Sequence, residues 1–409
     1  MSNTLLTIDM VTREALKVAH ETCQFISTTD RQYDDSFAKT GAKIGASLRV
    51  RKPNMYSRTQ GSRIMDVQDQ TEVNGTITVA TQDHVDMRFN SVEMALSMDE
   101  FSKRYIEPAV KVLVSGIEAD YLAASTKATW NCVGTAGTAI TTLVVPGAAR
   151  AKLNQQLAPK DNNRAIQMDS VTMGGLVNGV AAYFNPSGAI SSQFKEGLVA
   201  RTAMADYYEN ERVWTLANGS DVTISTDAAA LVVDGTGALD FHTATAAQVA
   251  IGAVFTIAGV YACHPETKAA YPNLQQFTLV SGGATSGASV VSPTIYLTGP
   301  RKNVVSATGA TLATTVFDAA TMVFVGLAST SYQQPLMYHK EAFQFVTADL
   351  PLMDDAAKCV RRVQDGLSMR VWQASDIRND EQLMRIDILY GFAALRPEWA
   401  CRMIGAANA

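Results

Sequence analysis

The chain has 409 residues, of which 47% are hydrophobic and 18% are charged, and its formal net charge is -5 at pH 7. This length and composition can bury the cores of two or three domains, which excludes a disordered protein. The acidic excess excludes a dedicated nucleic-acid binder, because such proteins neutralise phosphates with a basic surface.

The cysteines and the N-terminus exclude further classes. The five cysteines are scattered without Cys-x-x-Cys spacing, so we expect reduced, mostly buried thiols and no zinc site. Asp9 and Glu14 interrupt the first apolar stretch, which argues against a signal peptide, and no long uncharged apolar run predicts a membrane span. We therefore expect no cofactor, no metal ion and no membrane partner, and a protein made and used in the cytosol.

The first elements are a helix and an extended loop. Apolar residues recur at helical spacing from Ile8 to Ile26 with charged residues between them, which predicts an amphipathic N-terminal helix. Two extended segments follow, Ala46 to Arg51 and Gly75 to Val85, with a polar stretch between them. They predict a long two-stranded loop that reaches away from the core.

A long helix is predicted next. Ser97 and Glu100 have capping-box spacing, and a helical period continues to about Ala124. Pro108 lies inside this pattern, where it should kink the helix or split off a short first helix, because its ring removes a hydrogen bond. Two further helices are predicted at Ala148 to Leu157 and Ser170 to Tyr183.

The composition changes most sharply between Val213 and Gln334, where basic residues are sparse and Ala, Thr, Val and Gly dominate. Strands are predicted there at Val254 to Val260, Phe277 to Val280, Val290 to Leu297 and Thr321 to Val325. Longer strands resume at Leu336 to Val346, Leu367 to Trp372 and Leu383 to Phe392. A β-rich segment whose flanks share one mixed domain predicts an inserted all-β domain.

The last strand is the most distinctive segment. Met384 to Pro397 alternate between apolar and polar residues and run into Tyr390-Gly391-Phe392, which predicts an aromatic-glycine turn. Arg396-Pro397-Glu398 then predicts a stop, because proline cannot continue a ladder of backbone hydrogen bonds.

Catalytic signatures are absent from the sequence. It has no phosphate-binding loop, no His-Glu-x-x-His and no Gly-x-Ser-x-Gly. Cys263-His264 and His339-Lys340-Glu341 could serve a metal or acid-base role, or they could be ordinary structural histidines. The carboxylate pairs Asp34-Asp35 and Asp354-Asp355 could bind a cation, or they could cap turns and helices. We predict no catalytic, cofactor-binding or metal-binding residue.

One charge pattern suggests a binding surface. Five basic residues occur with no acidic residue from Asp35 to Asp66, and they are Arg49, Arg51, Lys52, Arg58 and Arg63. They could form a solvated loop, dock on an acidic face of an adjacent subunit, or bind DNA. For the docking interpretation the long helix offers five acidic partners, which are Asp99, Glu100, Glu107, Glu118 and Asp120. We predict the first three of them as inter-subunit contacts together with the five basic residues.

The order of these features resembles the Hong Kong 97-like fold of tailed-bacteriophage major capsid (coat) proteins. It is most similar to the coat proteins of short-tailed phages whose apical domain carries an insertion. The segments that carry the resemblance are Thr76-Ile-Thr-Val-Ala80, Phe255-Thr-Ile-Ala-Gly-Val260, Leu389-Tyr-Gly-Phe392 and Ala394-Leu-Arg-Pro-Glu398.

The resemblance implies an α+β fold with a defined layout. The N-terminal arm helix would occupy residues 1–40, the extended loop and its strands 41–90, and the peripheral domain with its spine helix 91–160. The first part of the apical domain would occupy residues 161–212, the inserted β domain 213–335, and the return strands of the apical and peripheral domains 336–409. The extended loop would lie over a neighbouring subunit.

The resemblance also implies a function. The chain would assemble as pentamers and hexamers into an icosahedral shell around double-stranded DNA, which it would enclose without sequence-specific binding. Scaffolding and portal proteins would be its partners, and the virion capsid would be assembled in the host bacterial cytoplasm. Two alternatives stay open: another phage structural subunit, such as a tail-tube or decoration protein, and an enzyme of an unrecognised class.

Overall fold

The structure is a computed structural model that describes part of the chain. The described residues are 8–33, 47–61, 65, 67–68, 72–90, 105–180, 205–226, 232–242, 249–281, 288–353, 358–364, 366–376, 379 and 381–407. The chain divides into two compact units. The first comprises Met1–Val50, Asn74–Tyr121 and Phe343–Leu395, and the second comprises Arg51–Val73, Leu122–Ala342 and Arg396–Ala409.

The described α-helices and strands are numbered in chain order. The helices are α1 (Ile8–Thr22), α2 (Phe25–Thr28), α3 (Glu107–Ala128), α4 (Val144–Gln155) and α5 (Ser170–Val180). The strands before residue 250 are β1 (Asp30–Tyr33), β2 (Ser47–Lys52), β3 (Val73–Thr78), β4 (Thr81–Asn90), β5 (Cys132–Val133), β6 (Arg164–Met168), β7 (Asp206–Glu209), β8 (Thr215–Ala217), β9 (Thr223–Thr226) and β10 (Thr236–His242). The later strands are β11 (Val254–Cys263), β12 (Ala270–Ser281), β13 (Ala288–Ile295), β14 (Val304–Val305), β15 (Thr321–Phe324), β16 (Ser331–Gln333), β17 (Leu336–His339), β18 (Phe343–Ala348), β19 (Lys358–Gln364), β20 (Leu367–Asp376), β21 (Glu381–Ala394) and β22 (Ala400–Met403).

The first unit is built on a sheet with the order β1-β18-β21-β20-β19, and β4 also pairs with β21. Helix α1 packs on β19 and β20 and buries Val11, Ala15, Leu16 and Ala19 on one face. The predicted amphipathic helix is therefore confirmed, although it ends at Thr22 and the shorter α2 follows. The long-strand pattern predicted after residue 336 is also confirmed.

The Tyr390-Gly391-Phe392 segment is not a turn, and that prediction is wrong. All three residues lie inside the continuous strand β21, in which Gly391 pairs with Val346. A Cβ atom on Gly391 would lie 2.3 Å from the carbonyl oxygen of Thr78. The glycine therefore allows close approach of a second backbone, which is the other common reason for glycine in a strand. The predicted stop at Pro397 is confirmed, and a further strand, β22, follows it.

Helix α3 begins at Glu107, and Tyr105 and Ile106 directly before it are π-helical, so Pro108 lies where the helical geometry changes. Residues 91–104 lie outside the described part of the chain, so the kink or split at Pro108 stays a prediction. Ser97 and Glu100 lie outside the described residues. The two later helices are confirmed as α4 and α5, with the predicted end of the second lying beyond the described residues.

The second unit contains a five-stranded sheet with the order β5-β22-β17-β6-β7. Helices α4 and α5 contribute Leu153 and Leu176 to its apolar core, where both meet Ile166, Met337 and Met403. Within the described part of the chain, no helix has the length and apolar character that crossing a bilayer requires.

The predicted β-rich segment forms a closed barrel within the second unit. The ring β9-β10-β13-β12-β11-β15 returns to β9, and every pair in it is antiparallel. Closure leaves no unpaired strand edge in the ring. Phe255 and Phe277 are fully buried at its centre, with ring centroids 5.7 Å apart. The four strands predicted in this segment are confirmed as β11, β12, β13 and β15.

Candidate assembly site

The predicted basic residues lie on an extended arm that begins with β2 and ends with β3, which pair with each other. The side chains of β2 alternate between exposed and half-buried. Leu48 and Val50 pack against the apolar cluster that contains Ile77, while Arg49 and Arg51 are exposed. Leu48 and Val50 therefore fix the base of the arm on the first unit, and the side chains of Arg49 and Arg51 are open to solvent. We call residues 47–78 the basic arm.

The two limbs of the basic arm are joined beyond the strand pair. The side-chain amide of Gln68 acts as a surrogate for backbone, accepting the N–H of Ser57 at 2.8 Å and donating to its carbonyl oxygen at 2.6 Å. Arg51 Nε lies 3.7 Å from a carboxylate oxygen of Glu72 on the opposite limb. Neither contact was predicted, because an amide that replaces a strand pair has no periodic signal in a sequence.

The basic residues are less isolated than the sequence window suggests. Arg51 faces Glu72, and Lys52 lies near Glu398, where burial raises the pKa of the glutamate and the Lys52 charge opposes that rise. The premise of five cations without acidic neighbours is therefore corrected. Arg49 and Arg58 are exposed and make no ion pair with another described residue. Arg63 lies outside the described residues.

The basic arm also exposes large apolar side chains. The exposed fractions are 57% for Met55, 58% for Tyr56, 83% for Met65 and 77% for Val67. Clustered exposed apolar groups on one segment mark a surface that a partner covers, whereas single ones are normal. Tyrosine, methionine and arginine are also the residue types enriched at protein interfaces.

Of the predicted acidic contacts Asp99, Glu100 and Glu107, only Glu107 lies within the described residues. Glu107 forms an ion pair with Lys111, one turn later on α3. Asp99 and Glu100 lie outside the described residues. Glu118, which the sequence places on the same helix, is fully buried. Its carboxylate accepts the backbone N–H groups of Gln24, at 2.8 Å, and of Phe25. Glu118 therefore caps α2 and cannot receive an external cation.

Three further carboxylates lie on the first unit, one of which, Asp120, is among the predicted partners on the long helix. Asp83 and Asp86 lie on β4, which pairs with β21 alone among the described strands, and Asp120 is exposed on α3. The hydroxyl of Tyr390 donates to Asp83 at 2.9 Å. Burial raises the pKa of Tyr390, and the bond to Asp83 and the charges of Asp83 and Asp120 raise it further. The carboxylates of Asp83 and Asp120 therefore both lie near the hydroxyl of Tyr390. We call these two residues, together with Asp86 on β4, the acidic edge.

The two histidine motifs have structural partners. Nδ1 of His264 accepts the backbone N–H groups of Glu266 and Thr267, which closes a turn. His339 is almost fully buried, and its Nε2 lies 2.9 Å from Asp161 while its Nδ1 accepts the N–H of Glu341. The described residues contain no group of His, Cys, Asp and Glu side chains that could hold a metal ion. Both carboxylate pairs flagged in the sequence lie outside the described residues.

Comparison with known proteins gives a match to one family over part of the chain. Residues 217–405, just under half of the chain, match the model of the family described as "P22 coat protein - gene protein 5". No curated protein matches the chain. Among solved structures, the chain is similar to one from Mycobacterium phage Che8, with 8% identity over 93% of this chain and 90% of that chain, at a TM-score of 0.48.

Other capsids show comparable similarity. The capsid structure of the cyanophage P-SCSP1u has 12% identity over 90% of this chain and 85% of that chain, at a TM-score of 0.42. The capsid of Ralstonia phage GP4 has 7% identity over 93% and 86%, at a TM-score of 0.43.

The family match covers the barrel, the strands that follow it and the C-terminal strand. The match supports the predicted α+β Hong Kong 97-like fold class. It likewise supports the prediction that the chain is a major capsid protein that forms a phage shell.

Proposed function

We propose that the chain builds its shell from pentamers and hexamers in which the basic arm of one copy lies on the acidic edge of the next. A closed shell repeats one contact many times, so each contact can be modest while the whole is stable. The observation that carries the proposal is the basic arm itself. It presents Arg49, Arg58 and four large apolar side chains to solvent, and it is held in an extended shape by Gln68.

The negative charge of the acidic edge is complementary to the positive charge of the basic arm. Asp120 is exposed and Asp86 has more than half of its side chain exposed, although Arg385 and His84 of the same unit partly compensate Asp86. Each exposed ion pair contributes about 0.2 to 1 kcal/mol to the free energy of association. The ion pairs would therefore fix the alignment of the arm on its neighbour, and the buried apolar side chains would provide most of the affinity. We propose the acidic edge as a partner surface beside the predicted contacts Asp99, Glu100 and Glu107.

The remaining parts of the proposal rest on the coat-protein family. The peripheral domain with its N-terminal arm helix would contain most of the first unit, and the apical domain with the inserted β domain at residues 213–335 most of the second. Scaffolding and portal proteins would direct assembly in the host bacterial cytoplasm, and the shell would enclose double-stranded DNA. The net charge of -5 supports enclosure without tight or sequence-specific binding.

A charge-reversal experiment tests the arm contact. The double substitution Arg49→Glu with Arg58→Glu reverses two exposed charges that have no ion pair within the described residues. Arg51 and Lys52 are poorer targets, because their reversal would also disturb Glu72 and Glu398. A matched control, Arg150→Glu with Lys160→Glu, changes the net charge equally at exposed positions of the second unit.

We expect the arm variant to lose shell yield about tenfold at low salt, while the melting temperature of the unassembled subunit stays within about 2 °C of the parent. The control should assemble normally. Adding Asp120→Arg to the arm variant should recover part of the yield, because the charges are exchanged across the contact. Normal yield of the arm variant, or equal loss in the control, would overturn the proposed contact.

A further inference from the structure

The C-terminal strand carries an arginine that is fully buried in the second unit. The guanidinium of Arg402 donates from Nε to the carbonyl oxygen of Thr129 at 2.6 Å and from one terminal nitrogen to that of Gly252 at 2.5 Å. The other terminal nitrogen donates to the carbonyl oxygen of Lys127 at 3.1 Å and to the hydroxyl of Thr278 at 2.8 Å. One side chain therefore joins three separate parts of the unit.

The three parts are the end of α3, the barrel and the C-terminal strand. Lys127 and Thr129 lie at the end of α3, where the last carbonyl groups have no partner inside the helix. Gly252 precedes β11 and Thr278 lies on β12, so both belong to the barrel segment. Arg402 itself lies on β22, and its backbone N–H donates to the carbonyl oxygen of Asn131 at 2.8 Å.

The acceptors explain how the buried charge is tolerated. All of the acceptors are uncharged, and two of them lie at the negative end of a helix dipole, which favours a cation. Burial lowers the pKa of Arg402 to about 10, so the group stays protonated at neutral pH. A buried charge of this kind is costly when any acceptor moves away, because the desolvated donor is then unsatisfied. The acceptor positions are therefore coupled to one another.

Packing around the guanidinium is equally specific. The ring of Trp214 lies 6.0 Å from the guanidinium carbon and 5.3 Å from Nζ of Lys127. Gly252 has a positive φ of 90°, and a Cβ atom there would lie 2.7 Å from the Trp214 ring and 2.9 Å from Cγ of Lys127. A side chain at residue 252 would therefore force the side chain of Trp214 or Lys127 to move.

A second set of bonds holds the same surface of the barrel. Gln276 is two residues from Thr278 on β12, so both side chains leave the strand on one face. The amide of Gln276 accepts the N–H of Cys132 at 3.0 Å and donates to its carbonyl oxygen at 2.8 Å. The hydroxyl of Thr278 also donates to the carbonyl oxygen of Lys127 at 3.0 Å. Directed bonds to backbone fix an orientation, whereas apolar contact alone allows sliding.

We propose that Arg402 is a positioning residue that sets the angle of the barrel on the capsid subunit, and that the C-terminal strand thereby controls the geometry of the assembled shell. A subunit in a closed shell must present its surfaces at fixed angles. If the barrel pivots about the end of α3, subunits still fold and still associate, but they close into shells of mixed size. This inference concerns the orientation of the barrel and does not depend on the contact proposed for the basic arm.

The test compares Arg402→Met with Arg164→Met in the full chain. Arg164 is equally buried in the same unit, but its guanidinium bonds to Asn154, Ala158 and Pro159 and to no barrel residue among those described. Hydrogen exchange of the unassembled subunit is measured for a peptide covering residues 127–133 and for the barrel core. Shells are then assembled and their diameters measured by electron microscopy.

We expect exchange in residues 127–133 to be about tenfold faster in Arg402→Met, exchange in the barrel core to be unchanged, and the shells to be of mixed diameter or open. Arg402→Lys should recover part of the shell uniformity, and Arg164→Met should form uniform shells. Thr278→Val, which keeps the side-chain volume and removes the hydroxyl, should show the same local effect more weakly and keeps the test valid if Arg402→Met does not fold. Uniform shells from both Arg402→Met and Thr278→Val, or faster exchange throughout the barrel in either, would overturn the proposal.

Discussion

Arg370 and Asp387 form a buried bidentate ion pair across two neighbouring strands of the first unit. Nε of Arg370 donates to one carboxylate oxygen at 3.0 Å and a terminal nitrogen donates to the other at 2.5 Å, and the exposed fractions of the two side chains are 4% and 0%. The remaining terminal nitrogen of Arg370 donates to the carbonyl oxygen of Pro351. The pair lies directly opposite in the register of β20 and β21, so it fixes their alignment.

Breaking this pair should destabilise the subunit strongly. Asp387→Asn leaves the guanidinium of Arg370 buried without a counter-charge, and we expect a loss of about 3 to 5 kcal/mol in the free energy of unfolding. The double substitution Arg370→Met with Asp387→Leu removes both charges and should cost less than the single one. Urea unfolding of the unassembled subunit measures both.

An exposed pair provides the control. Arg88 and Glu381 are 3.2 Å apart at the sheet surface, with 70% of the Arg88 side chain exposed, and Arg88→Ala should cost about 0 to 1 kcal/mol. A double variant less stable than Asp387→Asn would contradict the explanation, because the charges would then be favourable in themselves.

Gly391 should tolerate no side chain. In Gly391→Ala the new methyl group meets the backbone at Thr78, and one of the two strands must move, which should cost about 1 to 3 kcal/mol. Gly116→Ala is the control, because a Cβ atom at this position of α3 meets nothing within 4 Å and alanine favours the helix by about 1 kcal/mol. Thermal unfolding should therefore shift in opposite directions for the two variants. Equal shifts would show that close approach of the strands does not explain Gly391.

Acid should remove the contribution of the bond between Asp161 and His339. Burial acts to raise the pKa of Asp161, but hydrogen bonds from His339 and Asn163 outweigh it, so the pKa falls from 3.8 to about 2. Because the folded pKa is the lower one, the stabilisation is present above the unfolded pKa and is lost as the pH falls through the folded pKa. Asp161→Asn should therefore be less stable than the parent at neutral pH, and the difference should shrink between pH 4 and pH 2.

The histidine supplies the control for that prediction. In a His339→Gln background, Asp161→Asn should have a smaller effect at neutral pH and a weaker dependence on pH. A pH-independent difference between the parent and Asp161→Asn would show that the bond makes no ionic contribution.

The barrel should fold when residues 213–335 are expressed alone. Its apolar core, which includes Phe241, Phe255, Phe277 and Phe317, is supplied by the barrel segment itself. Closure of the ring also satisfies the strand edges without help from the rest of the unit. We expect a dispersed amide spectrum, and we expect Phe255→Ala to abolish it, because such a cavity costs about 3 to 5 kcal/mol. An unfolded spectrum of the parent segment would contradict the prediction.

Periodic features were predictable from the sequence, and contacts between distant segments were not. The N-terminal helix, the paired limbs of the basic arm and the strands of the barrel follow from apolar spacing, which depends on neighbouring residues alone. The glycine of Tyr390-Gly391-Phe392 was misinterpreted, because a turn and a close backbone approach both require glycine and only Thr78 distinguishes them.

In the candidate site, too, local patterns were predictable and contacts between distant segments were not. The basic residues of the arm were found as a charge pattern, but Glu72, which faces Arg51, and the burial of Glu118 depend on the folded chain. Arg402 was also missed. The sequence shows only an arginine within an apolar strand near the C-terminus. Its role depends on the carbonyl groups at the end of α3 and in the barrel, which only the folded chain places beside it.

The capsid assignment itself is tested most directly by assembly of the purified full chain. Sedimentation velocity over a range of concentrations and salt, followed by electron microscopy of the fast fraction, measures whether one polypeptide closes into shells. We expect concentration-dependent conversion of subunits into capsomers and then into icosahedral shells. A chain that stays monomeric at every concentration and salt tested would contradict the capsid assignment.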